Sequence, residues 1–268
     1  MSAILLIGAG RMGGTLLSGW TARKFGPVIV VEPSPSAQLK AFARRNHVAI
    51  FARADSIDSI HARACIVALK PQTLKDEAMR LRSIAQNGAL MISIAAGINT
   101  TALRRAWGAK ARIVRAMPNT PGAIGRGITA LYGAKGCDAK DKALANQLLS
   151  ALGETLWMTK ESQIDAATAV SGSGPAYVFL LVEALAQAAM HEGLSRAIAQ
   201  KLARATVCGS GALLDFDPSP AAELRRNVTS PGGTTAAALQ VLMARDGLTD
   251  LMRRAVAAAH ARARELGM

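Results

Sequence analysis

A doubly wound, mostly parallel α/β sheet followed by an all-helical domain is what three observations predict for this chain of 268 residues. Short apolar runs alternate with helical patterns up to about residue 160. A Gly-x-Gly-x-x-Gly turn directly follows the first run. Strand signals then stop, and only long Ala- and Leu-rich helical patterns remain. Such alternation specifies parallel strands joined by crossover helices, so residues 1–160 are expected to form a dinucleotide-binding sheet of Rossmann type. Residues 161–268 are expected to be helical throughout.

Each element has its own signal. Ala3–Ile7 is a continuous apolar strand, and Met12, Leu16, Leu17 and Trp20 trace a helical face behind it. Val28–Val31 is the second strand, after which Pro33 and Pro35 break the chain. Runs at 65–69, 89–94 and Ile113–Met117 read as further buried strands, separated by helices at about 36–45, 74–85 and 100–106. Strands at 127–132 and 154–158 flank one more helix at 138–152 and finish the sheet. In the second half, Ser173-Gly174-Pro175 reads as a helix cap with proline at the first position, and that helix stops at Gly193. Helices then follow Ser195, Pro220 and Thr235, with a last one over 249–266.

Composition narrows the function classes. Half of the residues are hydrophobic and 19% are charged, which is globular rather than disordered. Net charge is +14, but the arginines stand in isolated pairs such as Arg44-Arg45 and Arg225-Arg226. No basic run is interleaved with aromatics, so a field attracting phosphorylated cofactors and carboxylates is preferred and no nucleic-acid partner is expected. Cys65, Cys137 and Cys208 are scattered, which argues against disulfides and against a zinc site. His47, His61, His191 and His260 form no metal spacing, and no metal is expected. The N-terminus lacks a basic stretch before its apolar run, so it reads as a strand and a cytoplasmic protein is expected. No window is read as a membrane helix, because Glu183 and Gln187 interrupt the helix from Pro175; no membrane partner is expected. That helix is apolar nearly all round, and one small domain has little interior to offer it. An obligate homo-oligomer is therefore expected.

The glycine turn is the first site. Gly8 permits the tight turn, Gly10 lets backbone approach a pyrophosphate, and Gly13 lets helix and strand pack closely. Glu32 closes the second strand about 20 residues further on, where an acid accepts from the adenine ribose and repels a 2′-phosphate. Arg11, Ser34, Ser36 and Lys40 could meet that phosphate if Glu32 turned away, so NADH and NADPH both remain open. Lys70-Pro71 follows the 65–69 strand at the carboxyl edge, where Lys70 could act on substrate, meet a phosphate or face solvent. Small residues over 93–97 suit passage of a nicotinamide ring, and Met117-Pro118-Asn119-Thr120-Pro121 ends a third strand at the same edge. The expected cofactor set is Gly8, Gly10, Arg11, Met12, Gly13, Glu32, Ser34, Ala68, Lys70, Pro71, Ala95 and Gly97.

The second site is Val-Thr-Ser-Pro-Gly-Gly-Thr-Thr over 228–235, lying between two helical patterns. A loop of this make-up at a helix start aims amides and hydroxyls at one spot and suits a small carboxylate.

With Ser-Gly-Ser-Gly-Pro-Ala-Tyr over 171–177, the 228–235 loop, the 117–121 loop and Lys70-Pro71, the chain resembles the pyrroline-5-carboxylate reductase family along essentially its whole length. The resemblance implies reduction of the cyclic imine 1-pyrroline-5-carboxylate to L-proline by NADH or NADPH, the last step of proline biosynthesis, without metal. It implies an N-terminal domain for the dinucleotide and a helical domain that binds substrate and forms an intertwined homodimer, assembled further into rings such as a decamer. It also implies that Ser230, Gly233, Thr234 and Thr235 hold the substrate carboxylate, with Asn227 beside cofactor or substrate. Thr235 is the candidate catalytic residue, hydrogen-bonding the ring nitrogen; proton delivery and simple orientation stand as alternatives. Arg11 departs from the Asn or Gln of relatives, and Leu69 from a commoner valine. A six-membered cyclic imine is the alternative substrate, and a dinucleotide sensor without catalysis is the rival class.

Overall fold

The structure, a computed structural model, describes residues 2–57 and 60–266. Its sheet has eight strands in the order β3-β2-β1-β4-β5-β6-β7-β8. They are β1 (Ala3–Ile7), β2 (Val28–Val31), β3 (Ala49–Phe51), β4 (Ala62–Val67), β5 (Leu90–Ser93), β6 (Ile113–Met117), β7 (Gly127–Gly133) and β8 (Gly153–Trp157). Every pairing is parallel except β6 with β7, where the chain doubles back. Strand order reverses between β1 and β4, and open α/β sheets bind ligands at the carboxyl ends flanking such a switch point.

Both faces of the sheet are covered, which is why its central strands are continuous apolar runs rather than alternating ones. Leu5, Cys65, Val67, Met91 and Ile113 face one core, with Leu74, Leu81, Ile84 and Trp107 packed over them. Ile4, Leu6, Ile66, Ile92 and Val114 face the other, beneath Leu16, Leu17, Trp20 and Leu148. Both buried tryptophans satisfy their indole N–H groups. Trp20 donates to Leu148 O at 2.7 Å and Trp107 donates to Ala78 O at 3.1 Å.

The covering helices are α1 (Arg11–Ala22), α2 (Ala37–Arg45), α3 (Pro71–Glu77), α4 (Arg82–Gln86), α5 (Thr100–Trp107) and α6 (Ala139–Leu149). Three details differ from expectation. Strand β3 was not foreseen, being a short edge strand with no sustained periodicity. The single helix expected over 74–85 is broken into α3, a 3₁₀ segment (Ala78–Leu81) and α4. Strand β4 ends at Val67, so Ala68 and Leu69 belong to the loop before α3 rather than to the strand.

Helix α7 (Ser162–Ala167) runs through a π segment (Thr168–Gly172) into α8 (Gly174–His191). Ser173 is therefore not a cap: its backbone is already helical and its side chain caps nothing. Without that break, Ser162–His191 is one helical run, long and apolar enough to cross a membrane by length and composition. The expectation that no segment reaches that threshold is corrected, because the residues before Ser173 lengthen the helix. Then come α9 (Arg196–Phe216), α10 (Ala221–Asn227), α11 (Thr234–Leu242) and α12 (Leu248–Leu266).

Contacts divide the chain into two compact units: Met1–Gly172 with Ala259–Met268, and Ser173–Ala258. Within the second, α8 and α9 form a helical hairpin turned at Gly193, whose φ of 91° suits glycine. Much of its apolar surface is uncovered: Val178, Phe179, Leu180, Leu181 and Leu185 on α8 are all exposed.

Candidate functional site

The glycine turn is built as a dinucleotide cradle must be. Gly8 has φ of 87° and closes the turn by donating its N–H to Val31 O at 2.9 Å. A Cβ on Gly13 would lie 2.2 Å from Gly8 O, so no other residue fits where α1 crosses the turn. A Cβ on Gly10 would meet nothing within 4 Å, so the surface over the start of α1 is open. The first amides of α1 have no acceptor inside the helix, which makes this opening suited to a pyrophosphate. Met12 is half-buried against the core and fixes the helix start from behind.

One cleft of about 600 Å³ gathers Gly8, Gly10, Glu32, Ala68 and Lys70 from the expected set, together with Arg53, Asp55, Glu77 and Arg80. The loops touch: Ala68 donates its N–H to Ile7 O at 2.8 Å, and a Cβ on Gly8 would lie 3.0 Å from Ala68 O. Glu32 is anchored there, its Oε2 accepting from Ala9 N–H at 2.9 Å and its Oε1 from Ser34 N–H at 3.3 Å. Pro71 is the first residue of α3, and Lys70 precedes it with an exposed side chain. Arg11 lines a neighbouring depression with Ser36, Gln38 and Arg45 instead. Ala95 and Gly97 line neither. Ala95 is buried, and Gly97 packs against the end of α12, where a Cβ would lie 2.8 Å from Leu266 Cβ. That contact is a packing reason for glycine which sequence spacing did not reveal.

Sequence reading missed an ion network beside the β5 loop. Arg115, in the middle of β6 and almost fully buried, contacts Asp165 at 2.6 Å and Glu161 at 3.3 Å. Glu161 in turn accepts from Thr100 N–H and Thr100 Oγ1–H, both at 2.6 Å. The start of α5, directly after the Ala95–Gly97 segment, is thus tied to β6 and α7. The available signal was one arginine inside an otherwise apolar strand, because a buried charge demands partners. Asn119, in the 117–121 loop, is structural: its Oδ1 accepts from Ile128 N–H at 3.0 Å.

In the helical unit, α10 ends at Asn227 and Thr229 closes it, donating its hydroxyl to Arg225 O at 2.6 Å. The chain then turns through Gly232, with φ of 70°, and Gly233 donates its N–H to Ser230 O at 3.1 Å. A Cβ on Gly233 would lie 2.5 Å from Ser230 Oγ, so a larger residue there would push the Ser230 hydroxyl aside. Gly233 precedes α11 in extended conformation without a side-chain cap, and Thr234 and Thr235 are the first helical residues. Ser230, Gly233, Thr234 and Thr235 are therefore gathered at one helix start, whose amides and dipole favour an anion. Burial pushes the Cys65 and Cys137 thiols up, so neither is an activated nucleophile. Among the described residues no group of three His, Cys, Asp or Glu side chains forms a metal site.

Comparison with known proteins matches both halves. Residues 161–266 match the family model described as pyrroline-5-carboxylate reductase dimerisation, and residues 3–97 match NADP oxidoreductase coenzyme F420-dependent. The chain is 37% identical over 263 residues to the pyrroline-5-carboxylate reductase of Pseudomonas aeruginosa, covering 98% of this chain and 96% of that protein. The solved structure of a pyrroline-5-carboxylate reductase from Coxiella burnetii superposes with a TM-score of 0.91 at 35% identity, covering 100% and 99% of the two chains. The crystal structure of Plasmodium falciparum pyrroline carboxylate reductase with NADP bound gives 0.83 at 28% identity, covering 100% and 98%.

Proposed function

The chain belongs to the pyrroline-5-carboxylate reductase family, and on that premise we propose how its residues divide the work. The protein is an oxidoreductase that reduces 1-pyrroline-5-carboxylate to L-proline with NAD(P)H. When bound, the dihydronicotinamide supplies hydride to the imine carbon.

Residues 1–160 carry the dinucleotide, held by the Gly8–Gly10–Gly13 turn, by the α1 amides at Arg11 and Met12, and by Glu32, Ser34, Ala68, Lys70 and Pro71. Ala95 and Gly97 shape the next loop along the same sheet edge. Residues 161–268 bind substrate and dimerise. Ser230, Gly233, Thr234 and Thr235 hold the substrate carboxylate, Asn227 stands at the other side of that loop, and Thr235 hydrogen-bonds the ring nitrogen. A protonated cyclic imine is already electrophilic, so what it needs from the protein is alignment. Thr235 is accordingly an orienting group; its hydroxyl is too weak an acid to be assigned the proton. The observation that carries this reading is the Gly233–Ser230 closure at the start of α11, a preformed carboxylate cradle on a chain that also holds a dinucleotide cradle.

The exposed apolar side chains of α8 support a homodimer. Its further assembly into a ring such as a decamer, and its working in the cytoplasm without a membrane or nucleic-acid partner, belong to the same proposal. Several arginines, among them Arg53, Arg80, Arg112, Arg253 and Arg262, are already paired with carboxylates, which supports a diffuse rather than a ligand-specific positive charge.

Steady-state oxidation of NADH and NADPH with racemic imine tests the reaction. Thr235→Ala should lower kcat/KM by roughly 10- to 100-fold, the size of a hydrogen bond to a charged group, while dinucleotide binding is retained. Lost dinucleotide binding in that variant, or unchanged turnover, would remove Thr235 from its assigned role.

A further inference from the structure

Glu32 closes β2 but is not a loose strand-end charge. One of its oxygens accepts from Ala9 N–H, in the glycine turn after β1, and the other from Ser34 N–H, in the turn after β2. A single side chain therefore pins the two loops that frame the cleft. Turning it outward would leave a part-buried amide without an acceptor. Each carboxylate oxygen keeps a second lone pair, so an anchored Glu32 can still accept from a hydroxyl.

Two of the three cations that line that cleft are already paired with other carboxylates. Arg53 faces Asp55 at 2.7 Å and Arg80 faces Glu77 at 3.2 Å, which leaves Lys70 against Glu32. The segment after β2 reads Glu32-Pro33-Ser34-Pro35-Ser36, with no basic side chain and two residues without an amide. Ser36 is occupied in capping α2, its Oγ accepting from Leu39 N–H at 3.1 Å. Arg11 and Arg45 line the other depression, which Glu32 does not border.

We propose that Glu32 sets the nucleotide preference of this protein: its anchored carboxylate accepts from the adenosine ribose hydroxyls and repels a 2′-phosphate, which makes NADH the working reductant. The inference rests on the dinucleotide role given above to this cleft. It closes the route to NADPH that needs Glu32 to turn away.

The test is fluorescence titration of full-length protein with NADH and with NADPH, in the absence of imine. NADPH should bind at least about tenfold more weakly than NADH. Glu32→Gln keeps the shape and removes the charge, so the two affinities should converge, chiefly by tighter NADPH binding. Thermal melting with and without NADH shows whether that variant is folded. The wild-type protein supplies a second readout: raising salt from about 0.05 to about 0.5 M screens the repulsion and should narrow the ratio. NADPH binding as tight as NADH in the wild type, or a ratio indifferent to both Glu32→Gln and salt, overturns the proposal. So does an NADPH preference that Arg11→Gln abolishes, which would place the phosphate beside Arg11. Imine turnover is assayed separately, so a preserved ratio without turnover counts against the reaction and not against the preference.

Discussion

Strand β1 and helix α8 are both apolar runs, yet Ala3–Ile7 is buried along its whole length while Val178, Phe179, Leu180, Leu181 and Leu185 are between 40% and 62% exposed. The strand sits in the middle of a sheet whose two faces are covered by helices of the same chain. The helix has one hairpin partner in its own unit and little else to bury against. Full burial of each such side chain is worth about 1.5–3 kcal/mol, so the sheet collects this stabilisation within one chain, and in the homodimer proposed above α8 would collect it from a second copy. That is the physical content of the dimerisation match over residues 161–266. It also accounts for a helix that is long and apolar enough to cross a membrane in a protein of this family.

If this contrast is right, the two regions break independently. The largest effect belongs to Leu180→Asp, which places a charge on the exposed face of α8. It should abolish assembly and imine turnover, read as a fall in mass by light scattering, while NADH titration of the sheet domain is retained. An unchanged mass would show that α8 is not the covered face. Arg115→Met should do the reverse. It leaves the Glu161 and Asp165 carboxylates unpaired and should cost about 3 kcal/mol. For a unit of this size that corresponds to a fall in melting temperature of roughly 6–12 °C, with the mass of the assembly unchanged. The smallest effect is a null one at Cys65, in the middle of β4. Burial pushes its thiol up, so it stays protonated and unreactive across the working pH range. A disulfide-exchange reagent near pH 8 should label it only after denaturant is added; labelling in the native protein would mean that the sheet opens locally.

The sheet was legible because its strands are buried on both faces and so read as unbroken apolar runs bounded by glycine and proline. Edge strand β3 lacked that signal, since Ala49 is exposed and Ile50 and Phe51 are only partly covered. The Ser173-Gly174-Pro175 motif misled for a local reason. It has the composition of a helix start, but the chain arrives already helical from Ser162, and a π segment absorbs the irregularity instead of a cap. Proline is tolerated there because the amide it lacks lies at a change of hydrogen-bond register.

By itself the sequence determined the alternation of strands and helices, the glycine turn and the Ser-Pro-Gly-Gly-Thr-Thr loop, because each depends on near neighbours and on backbone freedom at a few glycines. Only tertiary structure decided that Glu32 reaches Ala9, that Arg115 joins Glu161 and Asp165, and that Gly97 lies under Leu266. Those contacts join residues far apart in the chain, and no periodicity records which distant partner a buried charge or a crowded glycine will meet.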